Sequence, residues 1–173
     1  VGIYRIAFKV ATLITFIQFA VNSIAAPTIA SLYAEDDLTA LRKYIKYIGV
    51  INAAFAIPIT LFIIVFSEPL LNLFGAEYTS GMVLLPILAI GQLVNALAGP
   101  VMYILNMTGK EKLSQRIMIW MTGLNIILNV VLIPRYGIVG AAIATTISMV
   151  TWNVIAAFYV YKYYKVIAIP FVK

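Results

Sequence analysis

No cysteine and no histidine occur in this 173-residue chain. Their absence excludes disulfides, thiolate metal sites, cysteine nucleophiles and imidazole acid–base chemistry from it. Acid is scarce as well, with 6 Asp and Glu against 12 Lys and Arg. The acids are Glu35, Asp36, Asp37, Glu68, Glu77 and Glu111, and each lies between apolar runs rather than within one. No Ser, Lys or Tyr stands beside a base of the kind nucleophilic catalysis requires. The stretch Thr108-Gly109-Lys110 lacks the rest of a phosphate-binding loop. The residues therefore predict no enzyme, no cofactor and no metal site. Glu35-Asp36-Asp37 reads as a solvated helix start with Asp36 or Asp37 as N-cap, because no further ligands for a divalent ion lie near it.

What is present is apolar surface. Hydrophobic residues make up 64% and charged residues 10% of the chain, with a mean hydropathy of +1.03. Soluble domains are typically ~45–50% apolar and ~25% charged. Five apolar runs cover residues 2–32, 44–66, 82–105, 116–133 and 138–161. Each approaches or exceeds the ~20 residues that cross ~30 Å of hydrocarbon as a helix. Lipid offers the backbone no hydrogen-bond partner, so runs of this kind must be helical. The predicted fold class is all-α: a polytopic membrane helical bundle of five transmembrane helices in a single domain, with the lipid bilayer as its first partner. No signal-peptide pattern is present, since Arg5 and Lys9 sit inside the first run. The chain opens without Met and reads as the C-terminal part of a longer protein.

The gaps between runs alternate in charge. Arg42, Lys43 and Lys46 follow the first run, and residues 67–81 contain no Lys or Arg. Lys110, Lys112 and Arg116 follow the third run, only Arg135 follows the fourth, and Lys162, Lys165 and Lys173 lie in the tail. The positive-inside rule then places Val1 outside and Lys173 in the cytoplasm. It also accounts for the net charge of +6 without nucleic acid.

Several features shape the runs. Pro27 predicts a kink or fraying near the inner end of the first, and Pro58 lies within the second. Residues 67–75 read as a short interfacial helix ended by Gly75. Tyr136-Gly137 reads as a tight turn, followed by a small-residue packing face through Gly140, Ala141, Ala144, Thr145 and Ser148.

Polar residues inside the runs are the candidates for function. Arg5 and Lys9 are four apart on one helix face; Thr12 and Ser23 fall on the same stripe, with Thr15 and Asn22 at its edge. Two readings stand. Both heads snorkel to the outer interface, or they face a cavity and contact an anionic substrate. Gln92, Asn95, Gly99 and Asn106 form a second stripe, and Gln115, Thr122, Asn125 and Asn129 a third. Such amides read as interhelical glue. Asn125 and Asn129, one turn apart, are the candidates among them for substrate contact.

Three segments in order resemble a known family. They are Val1-Gly-Ile-Tyr-Arg-Ile-Ala-Phe-Lys9, Asn106-Met-Thr-Gly-Lys-Glu-Lys112, and Leu132-Ile-Pro-Arg-Tyr-Gly-Ile-Val-Gly-Ala-Ala-Ile-Ala-Thr-Thr-Ile-Ser148. Together they resemble the polysaccharide flippases, the exporters of O-antigen or lipid-linked oligosaccharide, in the MATE-like superfamily of multidrug and polysaccharide exporters. The resemblance covers essentially the whole chain. It implies the eighth to twelfth spans of a twelve-span transporter, within the second of two six-helix bundles. The first bundle and the seventh span would be contributed by the same protein. It also implies alternating access, ion coupling, a lipid-linked oligosaccharide cargo on undecaprenyl pyrophosphate, and residence in a bacterial or archaeal cytoplasmic membrane. Arg5 and Lys9 match basic positions of the family's eighth span, which makes them cavity candidates.

A MATE-type multidrug or cation antiporter is the alternative, and it favours a carboxylate within the spans. A membrane-embedded enzyme of surface-polysaccharide assembly is another, and it needs acids or His at the membrane edge. A non-transporting scaffold is the third.

The charge alternation yields a test. In the full-length protein in intact cells, a cysteine replacing Ser80 should react with a membrane-impermeant thiol reagent, and one replacing Ser114 should react only after permeabilisation. Labelling of both from outside contradicts the predicted topology.

Overall fold

The structure, a computed structural model, describes residues 2–167. Val1 and Lys173, to which the charge pattern assigns sides, lie outside the described residues. The architecture is helical throughout. Helix α1 (Gly2–Thr12) passes through a 3-10 turn at Leu13–Thr15 into α2 (Phe16–Ala34), and α3 covers Leu38–Val65. The short α4 (Ser67–Asn72) and a 3-10 segment (Ala76–Val83) lead to α5 (Leu84–Ala98), α6 (Val101–Met107) and α7 (Glu111–Tyr164). Four of these stretches are long and apolar enough to cross a membrane: Gly2–Ala34, Leu38–Val65, Ala76–Ala98 and Glu111–Tyr164.

The 54-residue α7 is not one rod. Gly137 breaks it with φ 56° and ψ −134°. Asn125 Nδ2 donates to Ser148 Oγ at 3.1 Å across 23 positions. A straight helix would hold those residues about 35 Å apart at 1.5 Å per residue, so the chain folds back on itself. Gly140 permits the close crossing, because a Cβ there would collide with the Leu132 carbonyl. This is the turn and small-residue face that the sequence predicts around Tyr136-Gly137.

Other local signals act as their chemistry requires. Asp37 caps α3, its Oδ1 accepting from the Ala40 amide at 2.8 Å. Helix α4 forms as expected and is followed by Gly75 at φ 127°. At Pro27 the helix does not fray: α2 continues through it to Ala34, and a 3-10 turn interrupts the first run earlier, at Leu13–Thr15. The third run is not continuous either. Gly99 at φ 73°, followed by Pro100 without an amide hydrogen, separates α5 from α6.

The buried apolar side chains form two clusters. One gathers Ala7, Val10, Ala11, Ile14, Ala56, Ile63, Leu84, Leu88 and Ala142. The other gathers Ala25, Ile29, Leu41, Ile45, Ile48, Val101, Ile104, Ala156 and Val160. Along α2, Gln18 and Asn22 fall between Ile14 of the first and Ala25 of the second. Asn52 falls between Ile48 and Ala56 on α3, and Asn153 between Ala142 and Ala156 on α7. A layer of buried amides thus separates the two cores. Ties between distant helices hold the ends: Tyr4 Oη lies 2.8 Å from Thr145 Oγ1, and Arg42 Nε donates to the Tyr164 carbonyl at 2.7 Å.

The hairpin of α7 makes a specific demand on Gly140. In the full-length protein, Gly140→Val should lower thermal stability by about 1–3 kcal/mol through overpacking. Gly123→Ala, where an added Cβ meets nothing within 4 Å, should be neutral or slightly stabilising. Equal melting temperatures for Gly140→Val and the parent protein would contradict the close crossing.

Candidate functional site

The amide layer and the two helix irregularities meet at one place. A cleft of about 230 Å³ is lined by Thr15, Gln18, Phe19 and Asn22 from the first helix, by Asn95, Gly99 and Pro100 at the α5–α6 break, and by Met102, Tyr103 and Trp152. Gln18 bridges the break: its Nε2 donates to the carbonyls of Asn95 at 3.0 Å and Gly99 at 3.3 Å. Those are C-terminal carbonyls of α5, which a helix end leaves without intrahelical donors. Gln92 Oε1 lies 3.4 Å from the Thr15 hydroxyl, beside the 3-10 turn. Asn153 Nδ2 donates to Asn95 Oδ1 at 3.2 Å, which links the last helix to the break.

These amides are buried, with Gln18, Asn22, Asn52, Gln92 and Asn153 at 7% exposure or less. Their satisfaction is incomplete. Asn22 Oδ1, Asn153 Oδ1 and both polar atoms of the Asn52 side chain have no hydrogen-bond partner. An unpaired buried polar group costs about 1–3 kcal/mol, so their retention at this depth points to a role beyond packing. A second cavity, of about 530 Å³, adjoins the cleft through their shared Met102 and Trp152, and reaches Asn106, Gln115 and Met118.

The sequence-predicted candidates divide between two places. Arg5 and Lys9 are both exposed on α1. The same face continues through exposed Phe16, Phe19 and Ser23, and Phe19 lines the cleft. The basic pair and the cleft therefore occupy one continuous open face of the first helix. Asn125 and Asn129 lie elsewhere, in the α7 hairpin. Asn129 Nδ2 donates to Asn125 Oδ1 at 3.0 Å and to the Asn125 carbonyl at 2.8 Å, while Asn125 itself bonds Ser148. The Asn125–Ser148 bond joins the two arms of the hairpin, and the Asn129–Asn125 bonds lie within one arm.

Sequence reasoning missed Gln18, Tyr103 and Trp152. Gln18 stands one turn before Asn22, at a spacing that carries a signal. Tyr103 and Trp152 have none, because aromatics in apolar runs look alike until the fold brings them to one place. Among the described residues, no cluster of acids fit to hold a metal ion occurs.

Comparisons with known proteins bear on this geometry. The MatE family model matches residues 1–131. The chain is 32% identical over 159 residues to the probable flippase AglR of Haloferax volcanii, covering 90% of this chain and 33% of that protein. It is 31% identical over 170 residues to the probable low-salt glycan biosynthesis flippase Agl15 of the same organism, covering 96% and 35%. It is 26% identical over 144 residues to the uncharacterized membrane protein MJ1068 of Methanocaldococcus jannaschii, covering 82% and 28%. The chain thus spans about a third of the length of these relatives. No solved structure matches it significantly.

The hydrogen-bonding pattern predicts opposite outcomes for two amides. In the full-length protein, Gln18→Met removes the bridge across the α5–α6 break and should cost about 0.6–1.7 kcal/mol of stability. Asn52→Leu removes a group with no partners and should be neutral or stabilising. Melting temperatures that fall equally in both variants would contradict this assignment.

Proposed function

We propose, from the premise that the chain belongs to the MatE family, that it is the second-bundle part of a transporter moving a lipid-linked glycan across the membrane. The relatives named as flippases support this reading, and one of them is named for glycan biosynthesis. The observation that carries it is the open face of the first helix. Two cations, Arg5 and Lys9, stand exposed on an apolar helix and lead into a cleft of amides and aromatics. Charge inside a membrane segment is costly unless it faces a water-filled path or a ligand. Arg and Lys beside uncharged hydrogen-bonding groups suit a cargo with an anionic phosphate linkage and a polar glycan.

In this reading the chain crosses the membrane five times, the two arms of α7 counting separately. The loops bearing Arg42, Lys43, Lys46, Lys110 and Lys112 lie in the cytoplasm, and residues 67–81 lie outside. The exposed face of the first helix turns toward the other bundle, so the cargo passes between the two. The protein does no covalent chemistry: it exposes the cleft to one side of the membrane and then the other.

The test is Arg5→Gln with Lys9→Gln in the full-length protein at matched membrane abundance, scored by surface glycan export. Charge-assisted contacts contribute about 1.5–3 kcal/mol each, so export should fall by about tenfold or more. Arg5→Lys with Lys9→Arg should retain part of the activity, because it keeps the charge and alters only the donor geometry. Near-normal export from the double Gln variant would overturn a role for the pair.

A further inference from the structure

We propose that the amide–aromatic cleft binds a single uncharged sugar ring of the cargo, apart from the anionic linkage met by Arg5 and Lys9; this rests on the flippase reading above.

The chemistry of the lining selects the ligand. Its polar side chains are amides and hydroxyls, and no acidic or basic residue contributes to it among the described residues. An ion placed there would lose its hydration and gain no countercharge, which is strongly unfavourable in a low-dielectric interior. That counts against a phosphate, an ammonium group and a metal ion alike. A ring bearing hydroxyls carries no such penalty, and amides present the donors and acceptors that a pattern of hydroxyls requires.

The wall of the cleft also holds an unsatisfied polar group. Asn22 lines the cleft, is 6% exposed, and has an Oδ1 without a partner. An unpaired acceptor at such a place is costly, which marks the wall of the cleft as polar beyond the needs of packing. Gln18 and Asn95 lie beside it, already engaged with the α5–α6 break. Gly99 and Pro100 line the cleft as well, so a ligand there lies against the α5–α6 break.

The third component is aromatic. Tyr103 and Trp152 line the same cleft as the amides. Their rings combine an apolar face with a polar handle. A pyranose is amphipathic in the same sense, with C–H groups on its faces and hydroxyls at its edge. The volume of about 230 Å³ accommodates one ring. The cleft thus reads one position of the glycan and selects against a ring carrying a carboxylate or an amine there.

Two measurements on the full-length protein test this. First, p-benzoylphenylalanine replaces Tyr103, Lys9 or, as a control, Ile127, which is 62% exposed on another helix. After irradiation of cells that make the lipid-linked glycan, adducts are analysed by mass spectrometry. The proposal expects sugar-containing adducts at Tyr103 and none at Ile127. Second, in proteoliposomes supplied with the extracted lipid-linked glycan, Trp152→Ala should raise the half-saturating glycan concentration about fivefold or more. Trp152→Phe, which keeps a ring, should stay within about twofold of the parent. Capture of glycan at Lys9 but not at Tyr103 overturns the cleft assignment and leaves the flippase reading intact. Capture at neither position overturns both. Equal weakening by Trp152→Ala and Trp152→Phe overturns the stacking role.

Discussion

Amides buried at mid-depth between two apolar cores are the constraint on which the rest of this structure depends. A bilayer offers no solvent to satisfy them, so each must find a partner in a neighbouring helix or remain unpaired. Gln18, Gln92, Asn95 and Asn153 find theirs across helices. The bonds they make go to the places where regular helix stops: the 3-10 turn at Leu13–Thr15 and the Gly99–Pro100 break. The same layer therefore holds the bundle in register, satisfies irregular backbone and lines the cleft. Irregular backbone at membrane depth is tolerated where protein or a polar cavity surrounds it, and both conditions are met here.

The α7 hairpin shows how sparse the requirements of the surrounding scaffold are. One residue with positive φ, Gly137, reverses the chain, and one residue without a side chain, Gly140, lets the two arms touch. The chain Asn129–Asn125–Ser148 then fixes their register. Gly91 does the same service for α5, since a Cβ there would stand 3.2 Å from Thr146 Oγ1, whose hydroxyl donates to the Ile87 carbonyl at 2.9 Å. The last helix is thereby held tightly against α5, which carries Asn95 toward Asn153. Close packing through small residues is how helices associate where lipid and side chain are equally apolar.

Much of the fold was legible in the sequence because lipid leaves few options. Long apolar runs had to be helices; Asp37 had the side chain of an N-cap and acts as one; Tyr136-Gly137 had the composition of a turn. What was not legible were deviations inside helices. Pro27 carried the warning and its helix runs on, whereas Leu13–Thr15 carried none and loosens to 3-10 geometry. Proline at Pro27 withdraws one hydrogen bond, and the surrounding helix absorbs it. The stripe of Gln92, Asn95, Gly99 and Asn106 was visible as a polar line, but its meeting with Gln18 and Trp152 is a property of tertiary structure. Periodicity also put Asn125 and Asn129 on one face, and in the structure they bond to each other, with Asn125 reaching Ser148 across the hairpin.

The central claim is that the amide layer opens to an aqueous, cargo-accessible path rather than serving only as interhelical packing. The chain contains no cysteine of its own, which suits it to accessibility mapping. In the full-length protein, with any cysteines elsewhere removed, single cysteines replacing Tyr103 in the cleft and Ile127 on the α7 hairpin should be exposed to a small, uncharged, hydrophilic thiosulfonate. The account predicts rapid modification at position 103, slowed by the lipid-linked glycan, and negligible modification at position 127. Position 103 reacting no faster than position 127, with or without glycan, would contradict it.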